Sequence, residues 1–418
     1  MSFTFITSAA DWGRIAPELV LAVFALLALI TDLLLPQPGK APRDGGNFMA
    51  LPLLSLVGLL GALAASIILF NFGDYLPAFN HMIGSDPGTL YAYFIILSAS
   101  ALGILLSPAY LKRLNLLHQG EYYALMLLGT IGMMIMVAAT SFLTIFLGLE
   151  MLSLALYILC GFVMSRTSSR ESSMKYFLLS SFASAILLYG IALTYGATGS
   201  TSFAGISYYL LHRADLLHLL PGTHVPTPTL LLIGMGLLIV GFAFKVSAVP
   251  FQAWTPDVYD GAPAPVTAFM SVGTKAAALI AFARVFAIVF APISTDWMPI
   301  VWAITILTIV GGNILALVQS NVKRLLAYSS IAHAGYLLIG VVAGGTVGLS
   351  AILFYLFSYT FLNLGAFGIV SVLERADNSG SSLSDIRGMW YRQPLLAGLL
   401  AFFMLSLAGF PPMAGFAA

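Results

Sequence analysis

Residues 229–260, TLLLIGMGLLIVGFAFKVSAVPFQAWTPDVYD, decide the fold. As one straight helix, the run from Thr229 to Tyr259 would measure about 46 Å at 1.5 Å per residue, too long for a ~30 Å hydrocarbon core. Pro250 removes a backbone hydrogen bond and disfavours helix at Val249. A broken helix is the economical solution. Irregular backbone at membrane depth is tolerated only where it lines a cavity or is buried in protein, and broken helices mark ion sites in transporters. Lys245 stands one turn before the break.

The rest of the chain fits a membrane setting. Of 418 residues, 60% are hydrophobic and 8% charged, and the mean hydropathy is +0.99; soluble domains carry about 25% charged residues. The net charge of +1 points to no nucleic-acid partner. A single cysteine, Cys160, excludes an internal disulfide and any multi-cysteine metal site. The first apolar run follows Glu18 rather than a basic segment, as in a retained span and not a cleaved signal peptide.

Apolar runs fall near 15–35, 48–72, 88–107, 121–139, 141–164, 172–197, 229–256, 265–290, 297–318, 324–343 and 347–373. A twelfth begins near 395 and is still running at Ala418. Strands of a membrane barrel would be about half as long and alternating. The expected fold is therefore an all-α polytopic bundle with eleven complete spans and part of a twelfth.

Lys and Arg in the loops set the orientation. One side holds Lys40, Arg43, Lys112, Arg113, Arg166, Arg170, Lys323, Arg324, Arg375, Arg387 and Arg392; the other holds Arg14 and Arg213. The N-terminus is accordingly expected outside, in a periplasm-like compartment. Residues 198–228 form a long outer connection expected to include a short interfacial helix. Its histidines, His212, His218 and His224, are not spaced to share one helical turn, so no metal site is expected there.

An ionisable residue in mid-membrane costs about 2.5–3.5 kcal/mol on insertion scales and is a functional hypothesis by default. Glu150, in LGLEMLSLALYIL, lies about 13 Å into its span. Lys275, in SVGTKAAALIAF, is also near the midplane, with no stem long enough to carry its ammonium to an interface. Lys245 lies beside the break. Lys175 stands only a few residues inside its span, and snorkelling to the interface competes with a relay role. His333, in SSIAHAGYLLIG, titrates near neutrality or is a hydrogen-bonded core residue. Arg284 and Asp32, near span ends, are expected to reach the interface. Asp257 and Asp260 follow the break, as part of a proton uptake path or as helix caps. Ser180, Ser181, Ser247, Ser271 and Thr274 are polar gaps that could hold water. Such a set suits proton relay: burial disfavours the charged form, so a lysine brought towards neutrality accepts and releases a proton. No haem, iron–sulfur, dinucleotide or phosphate-loop pattern is present.

These residues also carry a resemblance. The segments GLEMLSLALYIL, SMKYFLLSSFASAILLYG, FKVSAVPFQAWTPDVYDGAPAPVTAFMSVGTKAA, NVKRLLAYSSIAHAGYLLIG and LSLAGFPPMAGF resemble subunit N of bacterial proton-translocating NADH:quinone oxidoreductase (complex I), from about Pro17 to Ala418. WTPDVYDGAPAPVTAF is the most specific; sister subunits L and M and Mrp-type antiporter subunits tend to a WLPDAH-like version. The resemblance implies fourteen spans with two inverted five-helix repeats and broken seventh and twelfth spans. It divides the chain into an N-terminal three-helix segment (1–120), a first repeat (121–290) and a second repeat (291–418). It implies a proton relay through Glu150, Lys245 and Lys275, with Lys175 matching a further family lysine, and no cofactor or metal in this chain. NADH, FMN, iron–sulfur clusters and quinone would belong to the complex. Subunits M, K and J and the lipid bilayer would be the neighbours, in a bacterial inner membrane. The family's span-twelve lysine would fall at or just past the last residue, so the sequence is expected to continue. The other functional readings are an Mrp- or hydrogenase-type cation/proton antiporter subunit, which would use the same charges, and a non-transporting scaffold.

Overall fold

A computed structural model describes residues 8–35, 48–114, 116, 119–213, 227–375 and 379–417. Among these, eleven helices are long and apolar enough to cross a membrane. A short α1 (Ala9–Arg14) leads into α2 (Ala16–Leu34), α3 (Ala50–Phe72) and α4 (Pro87–Arg113). Then come α5 (Gly120–Ala138), α6 (Phe142–Cys160), α7 (Thr167–Thr198) and α8 (Phe203–Leu211). The long run beginning at Thr229 is split into α9 (Thr229–Val246) and α10 (Trp254–Gly261). Next are α11 (Ala264–Ala283, continued by a π turn over Arg284–Val289), α12 (Ser294–Leu317), α13 (Val322–Ala343) and α14 (Gly345–Leu373). The chain ends with α15 (Met389–Arg392), α16 (Pro394–Leu407) and α17 (Ala414–Ala417). The span positions agree with the apolar runs to within a few residues at most ends.

Residues 198–228 do contain a short helix, α8. His218 and His224, and the loop charges Lys40 and Arg43, lie outside the described residues. His212 follows α8, with Nδ1 3.0 Å from the Tyr208 carbonyl.

The bundle is built around α11, every residue of which is buried. A helix apolar all round belongs in an interior, and here it sets Lys275 at the centre of the molecule. Lipid offers helices no hydrophobic drive to associate, so close approach through small residues must supply the packing. A Cβ on Gly132 of α5 would meet the Leu152 amide of α6 at 2.5 Å, and one on Gly148 the Met136 amide at 2.7 Å. The α12–α13 contact repeats the device: a Cβ on Gly312 would meet the Ala332 amide at 2.7 Å.

That repetition extends to the caps. Ser141, before α6, bridges to Ser202; Asn321, before α13, bridges to Ser382. The two sets are related by one constant offset of 180 positions: 132 to 312, 152 to 332, 141 to 321 and 202 to 382. Counting spans, the first bridge lies on the membrane face that carries the N-terminus and the second on the opposite face.

At the break, the backbone groups freed by Pro250 find partners inside the protein, as hydrocarbon surroundings require. Ser247 ends α9 in the left-handed region at φ 65°. The Trp254 indole donates to the Phe244 carbonyl at 3.1 Å, and the Val249 amide donates to Thr308 Oγ1 at 2.9 Å. Thr255 donates to Ser247 Oγ at 2.6 Å, tying α10 back to the end of α9. The twelfth run also breaks: α16 stops at Leu407, Gly409 turns at φ 76°, and Pro411 and Pro412 precede α17.

Three charges depart from expectation. Arg284 does not reach for the interface. It is 7% exposed and pairs with Asp86, the N-cap of α4, and with Thr89 at 2.6 Å. Burial pushes the Asp86 carboxyl up, but Arg284 and Thr89 outweigh it and hold it below its ordinary value. Lys323 and Arg166, read as loop charges, are buried with Glu374 on the opposite face. Lys323 Nζ lies 3.2 Å from Glu374 Oε2 and Arg166 NH1 2.5 Å from Oε1, and Tyr110 donates to the same carboxylate at 2.7 Å.

Candidate proton-relay site

Lys245 is the last-turn cation of α9 and only 2% exposed. Its Nζ donates to Ser153 Oγ of α6 at 2.7 Å and to the Tyr176 hydroxyl of α7 at 3.3 Å. The ammonium also sits 5.4 Å from the centre of the Tyr176 ring, a cation–π distance. Tyr176 in turn stacks on Trp254 at 4.8 Å, the residue that seals the break. The break, the ring and the lysine form one unit.

Glu150 is one turn before Ser153 on α6. It is half-buried, and its Oε1 is shielded from solvent without a hydrogen-bond partner. Among the described residues no ion pair joins it to Lys245, whose amine is held by Ser153 instead. The carboxylate acts on the lysine through space, a coupling that a small change of separation alters.

Lys275 is likewise 2% exposed. Its Nζ donates to the Ser330 carbonyl at 2.6 Å and to the Ser330 hydroxyl. One turn before it on α11, Ser271 accepts from the Asn363 amide of α14 at 2.6 Å. His333 is 6% exposed, and its Nδ1 is 2.5 Å from the Tyr355 hydroxyl. Tyr359 packs at 5.1 Å and Tyr336 at 5.6 Å, ring centre to ring centre. The imidazole lines a cavity of about 720 Å³ together with Asn313, Tyr336, Tyr355 and Met404.

Lys175 is set apart from these. Its side chain is 41% exposed and pairs with Glu171 at 2.8 Å and Asp257 at 2.9 Å. Asp257 also binds Arg324 at 2.8 Å, so one carboxylate of α10 ties α7 to α13 at the face opposite the N-terminus. Asp260 accepts from Asn321 at 2.9 Å, and its carbonyl from Lys323 at 2.8 Å.

Five predicted residues thus fall into three groups: Glu150 with Lys245, Lys275 with His333 across α13, and Lys175 in a half-exposed ion cluster. Ser153, Tyr176, Ser330, Tyr355 and Tyr359 were not singled out from sequence. Their signal was weak: hydroxyls one turn from a charge, on helices that carry many hydroxyls. Among the described residues no group of three His, Cys, Asp or Glu side chains could hold a metal.

Buried amines cradled by hydroxyls, beside a broken helix in a bundle of this kind, define an antiporter-like membrane protein. The family description NADH:quinone oxidoreductase/Mrp antiporter, transmembrane, matches residues 139–418. NADH-quinone oxidoreductase subunit N of Trichlorobacter lovleyi is 43% identical over 402 residues, covering 96% of this chain and 78% of that one. The subunit N 1 of Herpetosiphon aurantiacus is 42% identical over 414 residues, covering 99% and 80%. A chain of Thermus thermophilus respiratory complex I, solved with bound aureothin, superposes with a TM-score of 0.74 at 33% identity, over 96% of this chain and 80% of that one. A chain of the Mrp complex from Dietzia sp. shares the fold alone, with a TM-score of 0.76 at 22% identity, over 96% and 72%. The chain belongs to the NADH-quinone oxidoreductase subunit N family and is a multi-pass membrane protein.

Proposed function

We propose that this chain is a proton-translocating subunit of a bacterial NADH:quinone oxidoreductase and that it supplies one proton path, while NADH oxidation and quinone reduction occur in other subunits. It binds no cofactor of its own. Its neighbours are the antiporter-like subunit M and the small subunits K and J. It lies in the inner membrane with its N-terminus periplasmic, a reading supported by the uneven share of loop Lys and Arg. The 180-residue offset between like contacts on opposite faces supports a first repeat over 121–290 and a second over 291–418.

The observation that carries the reading is Lys245: a buried amine held by two neutral hydroxyls, one turn from a break in its own helix. A proton taken up near Lys175, Asp257 and Arg324 reaches Lys245, whose hold on it is set by Glu150. It passes to Lys275 and then to His333. Moving one charge against 100 mV costs about 2.3 kcal/mol. A hundredfold change in the proton affinity of one group is worth about 2.7 kcal/mol. Retuning the Glu150–Lys245 pair is therefore sufficient for one step.

The test is Lys245→Ala in the full-length protein, with NADH-driven acidification measured in inverted membrane vesicles. Pumping is expected to fall while the complex still assembles and reacts with NADH. Undiminished pumping by an intact complex would overturn the proposal.

A further inference from the structure

We propose that Ser330 is the relay group through which Lys275 passes its proton towards His333. This rests on the proton-path reading above and adds a residue to it.

Lys275 has no carboxylate partner among the described residues. Both hydrogen bonds from its Nζ end on Ser330, one on the carbonyl and one on the hydroxyl. An amine buried among apolar side chains needs its charge stabilised by whatever polar group is present, and here one serine supplies it all. A hydroxyl that accepts from Nζ keeps its own proton free to donate elsewhere. Two acceptors wait for it. The hydroxyls of Tyr259 and Tyr359 are buried without hydrogen-bond partners, and both face Ser330. Tyr259 is on α10, past the break; Tyr359 is on α14, against the His333 ring. Ser330 thus joins the lysine to both sides of the path.

The internal repeat gives this position its meaning. Adding 180 to Glu150 gives Ser330, and adding 180 to Ser153 gives His333, the same offset that relates the bridges and the glycine contacts. Where the first repeat sets a carboxylate near its lysine, the second sets a neutral hydroxyl. A carboxylate would favour the charged amine and hold the proton; a hydroxyl conducts it without trapping it.

The step balances without any redox partner. An N–H bond of the Lys275 ammonium breaks as an O–H bond forms on Ser330 Oγ. The original Ser330 proton moves to the Tyr359 oxygen, whose own proton leaves towards the imidazole. Serine and tyrosine finish as they began, Lys275 is neutral, and the charge rests on His333.

The experiment uses the full-length chain in its assembled complex, in inverted vesicles, with acidification measured per NADH oxidised. Ser330→Ala is expected to slow pumping about tenfold, the effect of losing one hydrogen bond to a charged group. Ser330→Thr restores most of that loss. Ser330→Asp is expected to move the pH optimum of pumping upward by about one unit, because the added carboxylate holds the lysine proton more tightly. Wild-type pumping in Ser330→Ala, equal loss in the Ala and Thr variants, or failure of the Ala variant alone to assemble would each overturn the proposal. Lys275→Ala is the control. If it pumps normally, the proton-path reading falls; if it fails while Ser330→Ala pumps normally, only the role of Ser330 falls.

Discussion

Lys245 donates to Ser153 at 2.7 Å, and this hydroxyl, not the Glu150 carboxylate one turn earlier, holds the amine. A direct ion pair would fix the lysine in its charged form. A hydroxyl holds the amine in either protonation state, since it both accepts and donates. The carboxylate is left to tune the lysine from a distance.

Ser153→Ala is therefore expected to uncouple the pair more than it destabilises the bundle. Proton pumping per NADH should fall about tenfold, as for one lost hydrogen bond to a charged group. Ser153→Thr should recover most of it. Vesicle acidification with parallel NADH oxidation rates is the measurement, and equal pumping in all three proteins would refute the role of Ser153.

The broken helix depends on Trp254, whose indole satisfies the Phe244 carbonyl and whose ring carries Tyr176. Trp254→Phe keeps an aromatic ring but removes the donor. The Phe244 carbonyl keeps the Ser247 amide as a donor at 3.1 Å, so the loss is that of one hydrogen bond, about 0.5–1.5 kcal/mol. Thermal unfolding of the detergent-solubilised complex should show that loss, and pumping should fall because Tyr176 also holds Lys245. Trp254→Phe with unchanged stability and pumping would mean that the break is held by Pro250, Thr308 and the Thr255–Ser247 bond without the indole.

Much of this fold was legible in the sequence because lipid imposes a plain rule: about 20 apolar residues per span. The break was legible for the same reason, since Pro250 lies in a run too long to be straight. The depth of Glu150, Lys245 and Lys275 followed by counting. Their partners did not follow. Ser153 is 92 residues from Lys245, and Ser330 is 55 from Lys275. Nothing local distinguishes these hydroxyls from Ser180 or Ser181. Arg284 was misread because hydropathy ranks closeness to water and is blind to a loop folding Asp86 over the helix end. Lys323 and Arg166 looked like loop charges for the complementary reason: both are near an interface in sequence but covered in three dimensions.

Arg284 and Asp86 join the π turn after α11 to the first turn of α4. Arg284 is buried, whereas the Asp86 side chain is 43% exposed. Asp86→Asn is expected to cost about 1–3 kcal/mol, between the values for exposed and buried pairs. A double-mutant cycle with Arg284→Met, read by thermal unfolding, should show that the double variant is less destabilised than the two single costs added together. Strict additivity would mean that the pair contributes nothing beyond its separate contacts.

Glu374 is the most demanding of these groups, because two cations depend on it. Its carboxylate receives Lys323, Arg166 and Tyr110, and its side chain is wholly buried. Burial pushes the carboxyl up, but Lys323, Tyr110 and Arg166 together outweigh that and hold it below its ordinary value. A carboxyl depressed in the folded state contributes stability above its unfolded value, about 4.3, and loses it as pH falls through the folded value. Glu374→Gln removes the charge at every pH. At neutral pH it should destabilise the protein by about 3–5 kcal/mol, the cost of leaving a buried partner unpaired. The variant should lack the acid-side decline that this group gives the wild type. The gap between the two unfolding midpoints should then be widest near pH 7 and narrow steadily below about pH 4. Lys323 also donates to the Asp260 and Ala262 carbonyls at the end of α10. Loosening Glu374 therefore loosens the far end of the helix that begins at the break, and pumping should decline together with stability. A gap that failed to narrow below about pH 4 would show that the Glu374 charge is not what holds this end of the bundle together.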